Sequence, residues 1–187
     1  MRSSCSSVLA AGILLALCWD GLCFASDPTT KVPKTAQDAI RRIALPCSSQ
    51  VTFRAVKAVL EGAQFELLKC QPDSGVIVTE YHDLARTPFS LGDDQEVLRP
   101  SLQGKFTAVV SPYYYHGSGT ELTLYVDLRY RPLGVEWRAF PMSYGQMMDA
   151  YDAWFGLVLG ALNLPVERLR DFRAPFILEL YRGPMGE

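Results

Sequence analysis

Residues 105–131, KFTAVVSPYYYHGSGTELTLYVDLRYR, decide the fold. A glycine-containing turn at 116–119 separates two arms rich in β-branched and aromatic residues, at 105–115 and 120–131. The second arm alternates without a break between an apolar face and a polar face. The apolar face holds Leu122, Leu124, Val126, Leu128 and Tyr130, and the other holds Thr123, Tyr125, Asp127, Arg129 and Arg131. This pattern predicts an antiparallel hairpin that packs one face and exposes the other to water.

The segment after the hairpin predicts a long helix that covers the packed face. Ser143 and Gln146 have the spacing of a capping box, and Met142 and Met147 have that of a hydrophobic staple, so the helix begins at Ser143. The apolar stripe of this helix comprises Met147, Met148, Tyr151, Trp154, Phe155, Val158, Leu159 and Leu162. A stripe of this width must be buried against another element, and the sheet provides one.

Shorter elements are predicted before the hairpin and between the hairpin and the long helix. Residues 39–46 predict a first strand, and residues 50–61 predict a helix capped by the serines before it and the glycine after it. Residues 63–68 and 76–81 predict a second hairpin, because a Pro-Asp-Ser-Gly turn lies between them. Residues 135–140 predict one more short strand.

The remaining segments lack a regular apolar period. Residues 82–102 are interpreted as a binding loop, a mobile flap or an element that the pattern does not reveal. Residues 26–38 predict an exposed lead-in, 176–181 an edge strand or docked tail, and 182–187 a frayed end. The whole predicts a single α+β domain at 39–181, in which a mostly antiparallel sheet is covered on one face by the long C-terminal helix, with a second helix after the first strand.

The N-terminus has the pattern of a signal peptide. Arg2 precedes an apolar run at 8–19, and small residues lead to a cleavage site after Ala25. Twelve apolar residues span about 18 Å as a helix, less than a hydrocarbon core of about 30 Å, so cleavage is favoured over a retained anchor. The chain is then expected in the periplasm. Lipidation at Cys18, which ends the apolar run, is the alternative and would anchor the chain to the outer membrane.

Cleavage after Ala25 leaves two cysteines, Cys47 and Cys70, in an oxidising compartment. If each cysteine ends a strand and a crossover helix joins the two strands, both thiols reach the same edge of the sheet and can form one disulfide. The alternative is two buried thiols that act as small apolar side chains.

The composition argues against nucleic-acid binding, a metal or cofactor site and a catalytic triad. The net charge of −2 and the pI near 5.7 give no overall basic field, so nucleic acid is not expected as a partner. Two histidines and no Cys-x-x-Cys or His-x-x-x-His pair predict neither a metal site nor a cofactor. His82 or His116 with Ser118 and Asp127 does not match a known nucleophile motif, so no catalytic residue is assigned.

The candidate partner surfaces are the open face of the sheet and the tyrosine-rich end of the main hairpin. Tyr113, Tyr115, Tyr125 and Arg129 combine aromatic rings with a cation, as protein-binding surfaces often do. The alternative is structural, because tyrosine is common in strands and mixed charges are typical of a solvated face.

Residues 51–79 carry a family resemblance. A helix with a Gly62-Ala63-Gln64-Phe65 exit, followed by Asp73-Ser74-Gly75 and the strand Val76-Ile77-Val78-Thr79, resembles the helix-grip repeats of the BamC family of outer-membrane assembly lipoproteins. The resemblance implies a helix-grip-like fold and a non-enzymatic accessory of the bacterial envelope, and it brings no catalytic residues. We therefore expect an exported envelope protein that acts through protein contacts. The alternative is a carrier of a small apolar or lipid-like ligand between the sheet and the long helix.

Overall fold

The computed structural model describes residues 34–84, 101–113, 119–131, 135–140 and 142–182. Over these residues the fold is α+β, as predicted, with a seven-stranded antiparallel sheet. The helices are α1 (Lys34–Ile40), α2 (Ser49–Gly62), α3 (Tyr144–Ala161) and α4 (Leu169–Arg182), with a 3₁₀ turn at Val166–Arg168. The strands are β1 (Arg42–Leu45), β2 (Leu67–Gln71), β3 (Val76–Thr79), β4 (His82–Asp83), β5 (Ser101–Tyr113), β6 (Gly119–Arg131) and β7 (Arg138–Ala139).

The β5–β6 hairpin is the centre of the sheet, and both predicted arms are confirmed. Its register runs from Ser101 opposite Arg131 to Tyr113 opposite Gly119. The strand order is β1-β6-β5-β3-β2, with β4 paired to β5 and β7 paired to β6. The hairpin of β2 and β3 is also confirmed, although β2 begins at Leu67 rather than at residue 63. The strand predicted at 135–140 is reduced to the two residues of β7.

Both predicted helix starts are confirmed by their caps. The Ser48 side chain accepts a hydrogen bond from the Val51 amide at the start of α2. At α3, Ser143 Oγ accepts from the Gln146 amide and Gln146 Oε1 accepts from the Ser143 amide, which is the complete capping box. The end of α2 differs from the prediction, because Gly62 is still helical and Gln64 adopts the left-handed conformation.

The core lies between the sheet and the helices α2 and α3. The Trp154 ring of α3 lies 4.3 Å from the Phe106 ring of β5 and 5.8 Å from that of Phe65, between centroids. The buried members of the apolar face of the sheet are Ile43, Leu45, Ile77, Phe106, Ala108, Val110, Leu122, Leu124 and Leu128. The alternation of β6 is thus confirmed, since the apolar positions face the helices.

Tyr151 of α3 links the helix layer to the backbone of β6. The strand β1 pairs with β6 only as far as Thr123, and β7 pairs only from Arg129 onward. In the interval between them, the Val126 amide donates to Tyr151 Oη at 3.2 Å, and Arg41 Nε donates to the same oxygen at 3.2 Å. A buried hydroxyl therefore replaces a neighbouring strand as the acceptor for this amide.

The edge strand predicted at 176–181 is wrong, because these residues belong to helix α4, which packs beside β1 and so fits the alternative of a docked tail. Phe172 and Phe176 are four residues apart and both buried, so they share one helical face. The helix packs beside β1 and contacts α1, and it therefore covers one edge of the sheet. Arg173, only 2% exposed, holds it to α3 by an ion pair of 2.5 Å with Asp152.

The start of the domain also differs from the prediction. Helix α1 includes the end of the predicted lead-in and the first residues of the strand predicted at 39–46, which begins only at Arg42. Ala39 and Ile40 are buried because α1 packs against α4, a contact that the local sequence does not reveal. In the segment predicted without regular structure, His82–Asp83 and Ser101–Leu102 are in strands, and 85–100 lie outside the described residues.

The structure does not bring Cys47 and Cys70 together, and both thiols are free. The strands β1 and β2 do run in the same direction, as predicted, but β6, β5 and β3 lie between them. Four strand spacings place the two edges about 19 Å apart, far beyond the reach of a disulfide. The predicted bridge is therefore wrong. The alternative of two buried thiols also fails for Cys70, which is exposed, while Cys47 is half-buried.

None of the helices in the described part of the chain is long and apolar enough to cross a membrane. The predicted signal peptide, Cys18, Ala25 and the tail after Arg182 lie outside the described residues.

Candidate functional site

The candidate site lies on the face of the sheet opposite α2 and α3, which we call the outer face. It consists of Lys105, Thr107 and Val109 of β5, Thr123, Tyr125, Asp127, Arg129 and Arg131 of β6, Val76 and Val78 of β3, and Lys69 of β2. Tyr125 is 45% exposed, and Asp127 and Arg131 are exposed as well. Side chains of β-branched, aromatic and charged residues are thus presented together on one pleated surface.

One end of the outer face carries alternating aromatic rings and arginines, which we call the arginine stack: Tyr81, Arg129, Trp137 and Arg131. The Arg129 Cζ atom lies 3.5 Å from the centre of the Tyr81 ring and 4.8 Å from that of Trp137. The Arg131 Cζ atom lies 5.2 Å from the Trp137 ring centre. Cation–π contacts of this kind each contribute about 0.5–1 kcal/mol at exposed positions, so the stack orders long side chains that would otherwise be mobile.

Hydrogen bonds fix the arginine stack further. Arg129 Nε and Nη2 donate to Gln103 Oε1 at 3.0 and 2.7 Å, and Gln103 Nε2 donates to Asp83 Oδ1 at 2.7 Å. The Tyr81 hydroxyl donates to Asp127 Oδ2. That hydrogen bond, together with partial burial, raises the pKa of Tyr81 above its ordinary value. Tyr81 therefore stays a neutral donor, and the guanidinium of Arg129 keeps one orientation.

The predicted surface residues are divided among different environments. Arg129 is at the centre of the stack, and Tyr125 lies on the outer face with the Arg41 guanidinium 5.5 Å from its ring centre. Tyr113 is half-buried, and its ring centre lies 5.6 Å from that of Phe176 on α4. Tyr115 lies outside the described residues. The structure thus places Arg129 and Tyr125 on the same face of β6 with different partners, and places Tyr113 in contact with the helix that packs beside β1.

Sequence reasoning missed Tyr81 and Trp137, which hold Arg129 between them. Tyr81 ends a predicted strand, and Trp137 lies in the short segment that leads into β7. Neither residue belongs to β6, so the two-residue period of that strand does not place either ring beside Arg129. The available signal was compositional: two aromatic residues close to strand ends whose rings must either be buried or find a partner.

The described side chains that were considered for catalysis or metal binding have other partners. No group of three or more histidine, cysteine or acidic side chains in the described ranges is placed to hold a metal ion. The His82 ring packs against Phe65, at 5.0 Å between centroids, and Asp127 accepts from Tyr81. His116 and Ser118 lie outside the described residues.

Comparisons with known proteins assign no family. No protein-family model matches the chain, and no curated protein matches it either.

Proposed function

We propose that this chain is an exported, non-catalytic protein of the bacterial envelope that acts through protein–protein contacts, with the outer face as its contact surface. The observation that carries the proposal is the arginine stack, in which Arg129 is fixed between two rings on a solvent-facing sheet. Tyrosine, tryptophan and arginine dominate the binding energy of protein interfaces. Side chains that are already ordered lose less conformational entropy when a partner binds.

Export is supported by the sequence pattern at residues 1–25. The charged start, the short apolar run and the small residues before Ser26 are typical of a cleaved signal peptide. Membrane association depends on lipidation at Cys18 and is not needed for the proposed contacts.

The packing of the interior favours the contact protein over the ligand carrier. A carrier would need space between α3 and the sheet, and there the rings of Phe65, Phe106 and Trp154 contact one another at centroid distances of 4.3–5.8 Å. A ligand at this position would have to displace buried aromatic side chains.

Site-specific crosslinking in the native host tests the proposal. A photo-crosslinking amino acid is placed at Tyr125 on the outer face, or at Val51 on α2 as a control of nearly equal exposure, 45% against 48%. We expect one envelope protein to be captured repeatedly from position 125 and not from position 51. Capture of the same proteins from both positions, or no capture from position 125, would contradict the proposal.

A further inference from the structure

The outer face carries four cations that form no close ion pair with a carboxylate of the described residues. Lys69, Lys105, Arg129 and Arg131 take part in none of the ion pairs formed by the described residues. Asp83 and Asp127 accept hydrogen bonds from Gln103 and Tyr81, which are neutral donors and therefore do not cancel the two carboxylate charges. Lys69, Lys105, Arg129 and Arg131 outnumber these two carboxylates, so this region has an excess of positive charge, although the chain as a whole has a net charge of −2.

The two arginines have the spacing of an extended peptide. Arg129 and Arg131 are two residues apart on the same face of β6, so their Cα atoms are about 7 Å apart. Acidic residues at alternate positions of an extended segment have the same spacing. A guanidinium matches a carboxylate with two parallel hydrogen bonds. The Arg131 guanidinium lies over the Trp137 ring and forms no side-chain hydrogen bond or ion pair with the described residues, so its N–H groups are available.

We propose that the outer face binds an extended acidic segment of the partner protein, with carboxylates at alternate positions against Arg129 and Arg131. The inference rests on the proposed function and names the chemistry of the partner at the same surface. Lys105 extends the cationic surface along β5, and Tyr125 offers an aromatic ring beside it. Nucleic acid or an anionic membrane is less well matched, because the positive charge is confined to one region of an acidic chain.

The test uses the full chain and a fluorescent probe peptide that alternates glutamate and serine over eight residues. Binding is measured by fluorescence anisotropy for the wild type, for Arg131→Gln, and for Arg54→Gln, which removes an exposed cation from α2. We expect Arg131→Gln to weaken binding about tenfold, since a charged hydrogen bond contributes about 1.5 kcal/mol or more. Arg54→Gln should leave the affinity unchanged, and added salt should weaken binding by the wild type.

Three results would overturn the inference: no binding of the glutamate peptide, equal loss in both variants, or tighter binding of phosphatidylglycerol vesicles or single-stranded DNA at the same charge concentration. The last result would identify a general polyanion surface. Crosslinking from position 125 tests the proposed function independently of the peptide. Capture of an envelope protein without peptide binding would therefore support the proposed function and reject only the inference that the partner presents an acidic segment.

Discussion

Replacing Tyr151 by phenylalanine should destabilise the protein through a single oxygen atom. The Tyr151 side chain is only 1% exposed, and its hydroxyl is the acceptor for the Val126 amide at 3.2 Å. Without that oxygen, the amide is left without its acceptor in the interval between β1 and β7, while Arg41 can still turn to Asp38 or to water. An unpaired buried donor costs about 1–3 kcal/mol, and because this hydrogen bond is only partly buried we expect about 2 kcal/mol rather than the upper end of that range. The ring itself is retained, so no large cavity adds to the loss.

Urea denaturation measures this loss. With a denaturant slope of about 2 kcal/mol/M, a destabilisation of about 2 kcal/mol lowers the unfolding midpoint by about 1 M. Tyr125→Phe is the matched control, because it removes the same atom from a ring that is 45% exposed, and it should change the stability by less than about 0.5 kcal/mol. Equal midpoints for the two variants would refute the role assigned to the Tyr151 hydroxyl.

Tyr151→Phe should also change how the free energy of unfolding depends on pH above pH 10. Burial raises the pKa of Tyr151 above its ordinary value of 10.0. A raised pKa in the folded state means that the contribution to stability is present below pH 10 and is lost as the pH rises through the folded value. The free energy of unfolding of Tyr151→Phe should therefore fall less steeply than that of the wild type above pH 10. Parallel curves would show that Tyr151 ionisation does not contribute to alkaline unfolding.

Three further predictions address packing and thiol chemistry. Gly75→Ala should lower the stability by at least about 2 kcal/mol in thermal unfolding, because φ is +68° and a Cβ atom would lie 1.9 Å from a β5 carbonyl oxygen. The control Gly62→Ala should be neutral or stabilising, because a Cβ atom there would have nothing within 4 Å. Asp152→Asn should cost about 3 kcal/mol and more than Arg173→Met, because only the first leaves a buried cation unpaired; the reverse order in urea midpoints would contradict this. Cys70 should react with a thiol reagent in the folded protein as fast as in urea, and strong protection would show that its strand is covered.

Local patterns predicted the elements whose signals lie within a few residues. The capping box and the strand alternation are of this kind: Ser143 and Gln146 are three residues apart, and the face of each β6 side chain follows from the two-residue period of a strand. The helix cap and the strand alternation do not depend on which other elements the helix or the strand packs against. The same reasoning failed at 176–181, because a short apolar run has no period long enough to distinguish a strand from a helix.

The candidate site was only partly predictable for the same reason. Arg129 and Tyr125 were found because both lie on one strand, and their shared face follows from spacing alone. The Tyr81 ring is brought to Arg129 from 48 positions away by pairing of β3, β4 and β5, and Trp137 by the turn before β7. Such contacts depend on the strand order, which local sequence does not specify.

By itself, the sequence determined the fold class, the two caps, the main hairpin and the direction in which each side chain of β6 points. Those properties follow from backbone periods and from hydrogen bonds between near neighbours. Only the tertiary structure decided that Cys47 and Cys70 lie at opposite regions of the sheet, that α4 covers β1, and that Arg129 lies between two rings. These depend on which distant segments pack together, because burial is a property of the assembled chain rather than of any short stretch of it.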